Sequence, residues 1–158
     1  MNVLVLCTGN SARSILLESI LNTKSTGRIK AYSAGSQPAG QVHPQSLKLL
    51  AAKGHDIRQA RSKSWDEFAG PDAPEMDMVI TVCGSAAAET CPIWPGAPVR
   101  AHWGVEDPAA ADQRDWDTAF QTAYDILERR AQALLDLPIE TMTPSELTSQ
   151  LKQIGTRP

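Results

Sequence analysis

The residues with the clearest capacity for chemistry are Cys7 and Arg13, which enclose the polar loop CTGNSARS at positions 7–14. An apolar run precedes this loop and a stretch with helical spacing follows it. Its backbone N–H groups can therefore converge at the N-terminus of a helix and form a cup for a tetrahedral oxyanion. An arginine can close over such a cup as a bidentate fork. The same field would favour the thiolate form of Cys7, which is the nucleophilic form.

The candidate anion-binding residues form the oxyanion loop, which we define as residues 8–14. They are Thr8, Gly9, Asn10, Ser11, Ala12, Arg13 and Ser14. Ser11 or Ser14 could donate a further hydrogen bond to the sulfur, and glycine and asparagine suit backbone positions with positive φ. The alternative is an ordinary strand-to-helix turn with a buried cysteine and a surface arginine. The apolar strand before the loop, the small residues within it and the helix after it favour the functional interpretation.

The composition is typical of a globular domain that binds no nucleic acid. The chain has 158 residues, of which 42% are hydrophobic and 21% charged, and its formal net charge is −3. This length can bury a full core, and the acidic balance argues against a nucleic-acid or anionic-membrane surface. The first apolar run is too short for a signal peptide, and no run is long enough for a membrane helix. We therefore expect a cytoplasmic protein with no membrane contact, and we expect it to be a monomer.

Three cysteines, Cys7, Cys83 and Cys91, are an odd number for a set of static disulfides. In a reducing compartment the remaining interpretations are buried inert thiols, a metal site or redox chemistry. Zinc is disfavoured because the C-x2-C spacing is absent and no histidine is well placed nearby. In a thiol relay, one thiolate attacks an oxyanion centre and a second attacks the first, which expels the reduced product. A third thiol then carries the disulfide to a reductant.

Short apolar runs alternate with amphipathic stretches along the chain. The predicted strands cover 2–6, 28–35, 76–83 and 97–103. After the helix that follows the oxyanion loop, the further predicted helices cover 43–54, 62–70, 115–137 and a segment that begins with the capping sequence TPSE at 143–146. Strands that alternate with helices form a parallel sheet covered on both faces, with ligands at the carboxyl ends of the strands. Cys7, Cys83 and the loop that carries Asp107 should therefore share one rim of the sheet.

Four segments carry a resemblance to a known family. They read VLVLCTGNSARS (3–14), YSAGSQPAGQVHPQSLKLLAAKGHDI (32–57), MVITVCGSAAAETCPIWPG (78–96) and HWGVEDPA (102–109). Over about residues 1–137 the chain resembles the low-molecular-weight protein tyrosine phosphatase superfamily, and specifically its three-cysteine, thioredoxin-coupled arsenate reductase branch. The resemblance implies a single-domain, three-layer α/β/α fold with a four-stranded parallel sheet in the order 2-1-3-4. We expect residues 1–140 to form this domain and residues 141–158 to form a C-terminal helical extension, packed on it or trailing it.

The resemblance also implies a role for each chemical residue. Cys7 would be the nucleophile and Arg13 would stabilise the bound arsenate. Cys83 would be the first resolving thiol, and Cys91 the final thiol of a Cys83–Cys91 disulfide relay. Asp107 would protonate the leaving oxygen. Arsenate would be the substrate, phosphate and sulfate would bind the same loop, and no cofactor would be bound. Thioredoxin would be the external reductant, with glutathione or mycothiol and a glutaredoxin as the alternative.

The assignment of Asp107 has a structural alternative. It precedes Pro108, and an aspartate before proline is typical of a helix N-cap followed by the first helical residue. On local sequence alone this interpretation is favoured. Glu106 beside it is an alternative acid.

Two features separate the reductase branch from the phosphatase branch. Ala12 stands where phosphatases usually carry a second loop cysteine, and Ala109 and Ala110 stand where aromatic residues commonly hold a phosphotyrosine ring. The last two alanines favour a small inorganic substrate. The alternatives are a tyrosine phosphatase that uses only the nucleophile, the arginine and the acid, and a non-enzymatic protein that binds arsenite at three thiols.

A further group of residues matches positions that support the loop in this family. Asn10, Glu18 and Ser33 match residues of a potassium site found in some arsenate reductases, and Lys63 matches the aspartate that would complete it. We expect no metal here, because the Lys63 ammonium would replace the ion. The alternative is an ordinary solvated lysine.

Overall fold

A four-stranded parallel sheet forms the centre of the molecule. The computed structural model describes residues 1–84, 94, 96 and 98–158. Its strands are β1 (Asn2–Cys7), β2 (Lys30–Gly35), β3 (Met78–Thr81) and β4 (Val99–His102). Their order is β2-β1-β3-β4, and every pairing is parallel. The fold class and the strand order predicted from the sequence are therefore confirmed, although three of the strands are shorter than predicted.

The described residues form four α-helices, two between strands and two after the last strand. The α-helices are α1 (Arg13–Lys24), α2 (Pro44–Ala52), α3 (Trp116–Leu135) and α4 (Pro144–Gly155). Short 3-10 helices cover Trp65–Phe68, Pro108–Ala110, Gln113–Asp115 and Ile139–Thr141. Within the described residues, none of the helices is long and apolar enough to cross a membrane.

The segment 62–70 differs from its prediction, because only one 3-10 turn forms there. Ser62 and Lys63 are tied to the oxyanion loop instead of joining a helix. The Ser62 hydroxyl donates to the Gly9 carbonyl at 3.1 Å, and the Lys63 N–H donates to the Asn10 side chain at 2.9 Å. The helical turn therefore starts only after Ser64, whose hydroxyl accepts the N–H of the second helical residue.

The core lies on both faces of β1, whose side chains alternate between them. Val3 and Val5 belong to the larger cluster, which α1, α2, α3 and α4 cover. Leu4 and Leu6 belong to a smaller cluster on the opposite face, with Phe68, Met76, Val79 and Trp94. Because β1 is buried on both faces, its end at Cys7 is a rigid support for the loop that follows.

The last helix packs against the edge strand β4. Leu147, Leu151 and Ile154 of α4 are buried, and the Trp103 indole N–H donates to the Leu151 carbonyl at 2.9 Å. The helix begins with the expected capping box, in which Thr143 and Glu146 exchange side-chain to backbone hydrogen bonds. The division of the chain at residue 140 stays a prediction.

Candidate active site

The oxyanion loop is built so that its N–H groups face inward. The carbonyls of Thr8, Gly9 and Ser11 accept backbone hydrogen bonds from the segment 37–43, at 2.9–3.0 Å. In a trans peptide the following N–H points away from the carbonyl, and the described chain has no cis peptide. Securing the carbonyls on the outside therefore directs the next N–H groups toward the interior of the loop.

Two residues allow the tight path of this loop. Asn10 adopts a φ of 47°, the left-handed region that asparagine tolerates, as expected from the sequence. Its buried side chain donates to the Ser14 hydroxyl at 2.8 Å and accepts from Lys63 N–H. Gly35, at the end of β2, lies so close to the Thr8 carbonyl that a Cβ would have no room. Asn10 thus fixes the path of the loop by its hydrogen bonds, and Gly35 lets β2 approach the loop closely.

The N-terminus of α1 supplies the positive end of a helix dipole. Its first turn has no acidic residue, and no side chain caps it at Ala12. Among the described residues, the N–H groups of Arg13, Ser14 and Ile15 have no hydrogen-bond acceptor, as is usual in a first helical turn. These donors and the inward N–H groups form a positive surface suited to an anion, and the binding role of residues 8–14 stays a prediction.

Cys7 and Cys83 meet at the carboxyl ends of β1 and β3. Both are buried, and Cys83 is the group that most strongly raises the pKa of Cys7. The Thr8 N–H donates to the Cys83 sulfur at 3.3 Å, and the Thr8 hydroxyl lies 3.5 Å from it. Neither Ser11 nor Ser14, the donors expected from the sequence, bonds the Cys7 sulfur among the described contacts. The second thiol is thus already at the first turn of the loop.

The pKa of Cys7 differs from the expectation of a stabilised thiolate. The hydrogen bond with Cys83 and burial raise the pKa of Cys7 well above its usual range, although the Asn10 N–H and Arg13 act in the opposite direction. Two adjacent thiols share one negative charge more readily than they carry two. The pair therefore resists ionisation of Cys7 whenever Cys83 carries the charge.

Arg13 reaches from the start of α1 to the segment that carries Asp107. Its Nη1 donates to the Val105 carbonyl at 2.8 Å, and Nη2 lies 3.7 Å from Asp107 Oδ2. Its Nε is buried without an acceptor among the described residues. Asp107 also caps the turn 108–110 by accepting the Ala109 N–H at 3.0 Å. The N-cap interpretation of Asp107 is therefore correct, and the same carboxylate also pairs with Arg13. Glu106 is exposed, and it is Asp107 that pairs with the arginine.

The four residues of the expected cation-site equivalent lie together beneath the loop. Lys63 is buried, with Nζ 3.6 Å from Glu18 Oε2, 3.4 Å from Ser33 Oγ and 3.2 Å from the Arg61 carbonyl. Its backbone N–H holds Asn10. Burial lowers the pKa of the Lys63 ammonium, and the Glu18 charge opposes that shift. The ordinary solvated lysine considered above is wrong, because this side chain is buried and ion-paired.

Several parts of the site could not be assigned from the sequence, and one lies outside the description. Cys91 is outside the described residues. The contact of Thr8 with Cys83 and the use of the Val105 carbonyl by Arg13 depend on non-local packing that local spacing does not encode. Arg130 of α3 could have been singled out from the sequence as a buried arginine, since it falls on the apolar face of the helix between Leu127 and Leu134.

These features define a class of protein. A cysteine and an arginine enclose an N–H-lined loop at the rim of a four-stranded parallel sheet, with an aspartate against the arginine, and this is the arrangement of an α/β enzyme that attacks tetrahedral oxyanions through cysteine. The chain belongs to the low molecular weight phosphotyrosine protein phosphatase family, whose model matches residues 2–152.

Individual relatives resemble the chain over most of its length. An arsenate reductase of Bacillus licheniformis is 38% identical over 129 residues, which are 79% of this chain and 88% of the relative. The solved structure of an arsenate reductase in its phosphate-binding state has a TM-score of 0.69 at 26% identity, and the match covers 85% of this chain and 96% of that one. A thioredoxin-dependent arsenate reductase of Corynebacterium glutamicum has a TM-score of 0.63 at 25% identity, over 85% of this chain and 60% of that one.

Proposed function

We propose that this protein reduces arsenate to arsenite with electrons from its own thiols. The observation that carries the proposal is the position of Cys83, which is buried at the oxyanion loop with its sulfur bonded to the Thr8 N–H, next to the buried Cys7. Phosphate-ester hydrolysis needs one thiol, whereas reduction of a thiol-bound arsenic needs a second thiol within reach. The similarity to arsenate reductases over most of the chain supports the same conclusion.

The first step is attack by the Cys7 thiolate on arsenic(V). An S–As bond forms and an As–O bond breaks, while Asp107 donates a proton so that the oxygen leaves as water. Arg13 and the loop N–H groups stabilise the charge that develops on the remaining oxygens. Arg13 already contacts the segment that carries Asp107, so the cation and the acid lie side by side.

The second step transfers the electrons. The Cys83 thiolate attacks the Cys7 sulfur, an S–S bond forms, and the S–As bond breaks with its electron pair left on arsenic. Arsenic(III) then departs as arsenite. Cys91 next attacks Cys83, which restores the Cys7 thiol and leaves a Cys83–Cys91 disulfide.

The external reductant is the remaining part of the cycle. We assign a dithiol protein of the thioredoxin type, since the C. glutamicum structure is that of a thioredoxin-dependent enzyme. Glutathione or mycothiol with a glutaredoxin is the competing route. We assign the protein to the cytoplasm as a monomer that binds no further cofactor, with Lys63 in place of a cation.

A coupled assay tests the proposal. The purified protein is mixed with NADPH, thioredoxin and thioredoxin reductase, and NADPH consumption is followed after addition of arsenate. We expect consumption that needs arsenate and that Cys7→Ser abolishes. A parallel reaction with glutathione and glutaredoxin identifies the donor. No arsenate-dependent consumption with either system, together with no arsenite formed by the reduced protein alone, would refute the proposal. In that case, arsenite held by the three thiols would point to a binding protein.

Aryl-phosphate hydrolysis is the second candidate function. A cavity of about 480 Å³ adjoins Asp107 and is lined in large part by small apolar side chains, among them Ala110, Ala119 and Ile126. Such a surface can accept a phenyl ring, although neither Cys7 nor any residue of the oxyanion loop lines this cavity. Rapid hydrolysis of 4-nitrophenyl phosphate that persists when Cys83 and Cys91 are both replaced by serine would favour this function over reduction.

A further inference from the structure

Arg130 is a buried cation on the inner face of α3. Arg130 is only 6% exposed, and Leu127 and Leu134 on the same face are fully buried. Among the described residues no carboxylate forms an ion pair with it. A buried guanidinium is costly unless its donors are satisfied, so the groups that satisfy Arg130 are under strong geometric constraint.

Two backbone carbonyls from different elements satisfy this guanidinium. Nη1 donates to the Gly104 carbonyl at 3.1 Å. Nε and Nη2 both donate to the Arg157 carbonyl, at 3.0 and 2.7 Å. Gly104 precedes Asp107 by three residues, and Arg157 lies just beyond the end of α4. The side chain therefore joins the C-terminus of the chain to the segment 104–107, which we call the acid segment.

The acid segment is fixed from the opposite side by the reaction centre. The Val105 N–H donates to the Val82 carbonyl at 3.1 Å, next to Cys83 in the chain. The Val105 carbonyl accepts from Arg13 at 2.8 Å. The peptide between Gly104 and Val105 is therefore bonded at its carbonyl to Arg130 and at its N–H to Val82, and the carbonyl of the next peptide is bonded to Arg13. A shift at Gly104 would therefore move Val105 against Arg13 and displace the Asp107 carboxyl.

Helix α4 packs against the two residues that precede the acid segment. The Trp103 indole bonds the Leu151 carbonyl, and Gly155 packs so closely on the His102 carbonyl and the Trp103 ring that a Cβ would not fit. The end of α4, Arg130 and the acid segment therefore form one packed unit behind the site.

We propose that Arg130, with the C-terminal end of α4, is a positioning unit that sets where Asp107 lies relative to Arg13 and Cys7. Arg130 touches no substrate and acts through the Gly104 backbone. Its effect on catalysis rests on the proposed arsenate reduction, whereas its effect on the acid segment does not.

The catalytic test is a double-mutant cycle of Arg130→Gln and Asp107→Asn. Since small displacements of a catalytic group can cost up to about 100-fold, we expect Arg130→Gln to lower kcat/KM for arsenate about 10- to 100-fold. The inhibition constant of phosphate, which reports on the oxyanion loop, should stay within about 2-fold, because the hydrogen bonds of Arg130 go to Gly104 and Arg157 and not to that loop. Adding Arg130→Gln to Asp107→Asn should cause little further loss. Independent, multiplicative losses in the double mutant would overturn the proposal.

The structural test works even if the protein reduces no arsenate. Hydrogen–deuterium exchange of a peptide that covers 103–107 should be faster in Arg130→Gln than in the unmodified chain, with β1 unchanged. Arg129→Gln is the matched control, because Arg129 is exposed and has one 3.4 Å bond to the Pro158 carbonyl. Exchange at 103–107 that is unchanged in Arg130→Gln, or equally raised by Arg129→Gln, would overturn the proposal.

A truncated chain covers the case in which Arg130→Gln does not fold. Ending the chain after Gly155 removes the Arg157 carbonyl and keeps Arg130. We expect faster exchange at 103–107 and lower kcat/KM, both in the same direction as for Arg130→Gln but smaller. Arg130→Lys should recover part of the loss, since it keeps the charge and loses the fork. Native exchange at 103–107 in the truncated chain would contradict the role assigned to the end of α4.

Discussion

The backbone N–H of Thr8 donates a 3.3 Å hydrogen bond to Sγ of Cys83, although 75 positions separate the two residues in the chain. The Thr8 hydroxyl lies 3.5 Å from the same sulfur. The first peptide of the oxyanion loop therefore holds the thiol to which we assign the attack on an adduct at Cys7. Cys83 is thereby placed at the loop that begins with Cys7, and it is the group that most strongly raises the pKa of Cys7.

Replacing Cys83 by serine should separate anion binding from turnover. In Cys83→Ser the oxyanion loop keeps its N–H groups and Arg13, so arsenate and phosphate should still protect Cys7 from alkylation. Multiple turnover with thioredoxin should disappear, because the thiol that the relay uses to release arsenic from Cys7 is absent. Alkylation rates and the coupled NADPH assay measure the two properties. Full turnover in this variant would refute the relay.

Replacing Cys83 by alanine should lower the pKa of Cys7. The hydrogen bond with Cys83 is the largest cause that raises this pKa, and Arg13 and the Asn10 N–H lower it. Without Cys83 the lowering groups oppose burial alone, so the thiolate of Cys7 should form at lower pH. The measurement is the rate of iodoacetamide alkylation of Cys7 as a function of pH. A midpoint that stays in place or moves upward would contradict this explanation.

The Lys63 ammonium should make the protein indifferent to potassium. It lies 3.6 Å from Glu18 and 3.4 Å from Ser33, where a cation would otherwise balance the carboxylate. Potassium chloride and sodium chloride at equal concentration should give the same melting temperature and turnover. A rise specific to potassium would reject the replacement.

Removing the Lys63 charge should destabilise the fold. Lys63→Met leaves the Glu18 carboxylate unpaired, and losing one partner of a buried pair costs about 3–5 kcal/mol of unfolding free energy. Lys48→Met is the matched control, since the Lys48–Asp117 pair is 70% and 78% exposed and should matter little. Chemical denaturation measures both variants. Equal, small losses would show that the Lys63–Glu18 pair has no special weight.

His55 should make the fold sensitive to acid. Its Nδ1 lies 2.7 Å from the Ser19 hydroxyl and its Nε2 lies 2.9 Å from the Tyr124 hydroxyl, and burial lowers its pKa. The unfolded chain therefore binds a proton at a higher pH than the folded chain, so stability falls as the pH drops below about 6.5. His55→Gln should flatten the dependence of melting temperature on pH between 5 and 8, about the range in which histidine titrates. His102→Gln, at an exposed ring, is the control, and a slope unchanged by His55→Gln would disprove the assignment.

The parts of the molecule that were predictable from the sequence depend on local pattern or on family resemblance. The apolar run of β1, the polar loop and the spacing of α1 are contiguous, so Cys7 and Arg13 could be placed at one site directly. The β2-β1-β3-β4 order came from the resemblance. The direction in which the pKa of Cys7 shifts could not be predicted, because Cys83 and burial raise this pKa while Arg13 lowers it. The role inferred for Arg130 likewise required the carbonyls of Gly104 and Arg157, which only the folded chain brings together.

The most direct test of the relay is one turnover without any external reductant. The fully reduced protein is mixed with excess arsenate, arsenite is quantified, and the alkylated and digested chain is mapped by mass spectrometry. We predict one arsenite per chain, a Cys83–Cys91 disulfide and a Cys7 that is again open to alkylation. Arsenite formed with all three thiols still reduced, or no arsenite at all, would contradict the account.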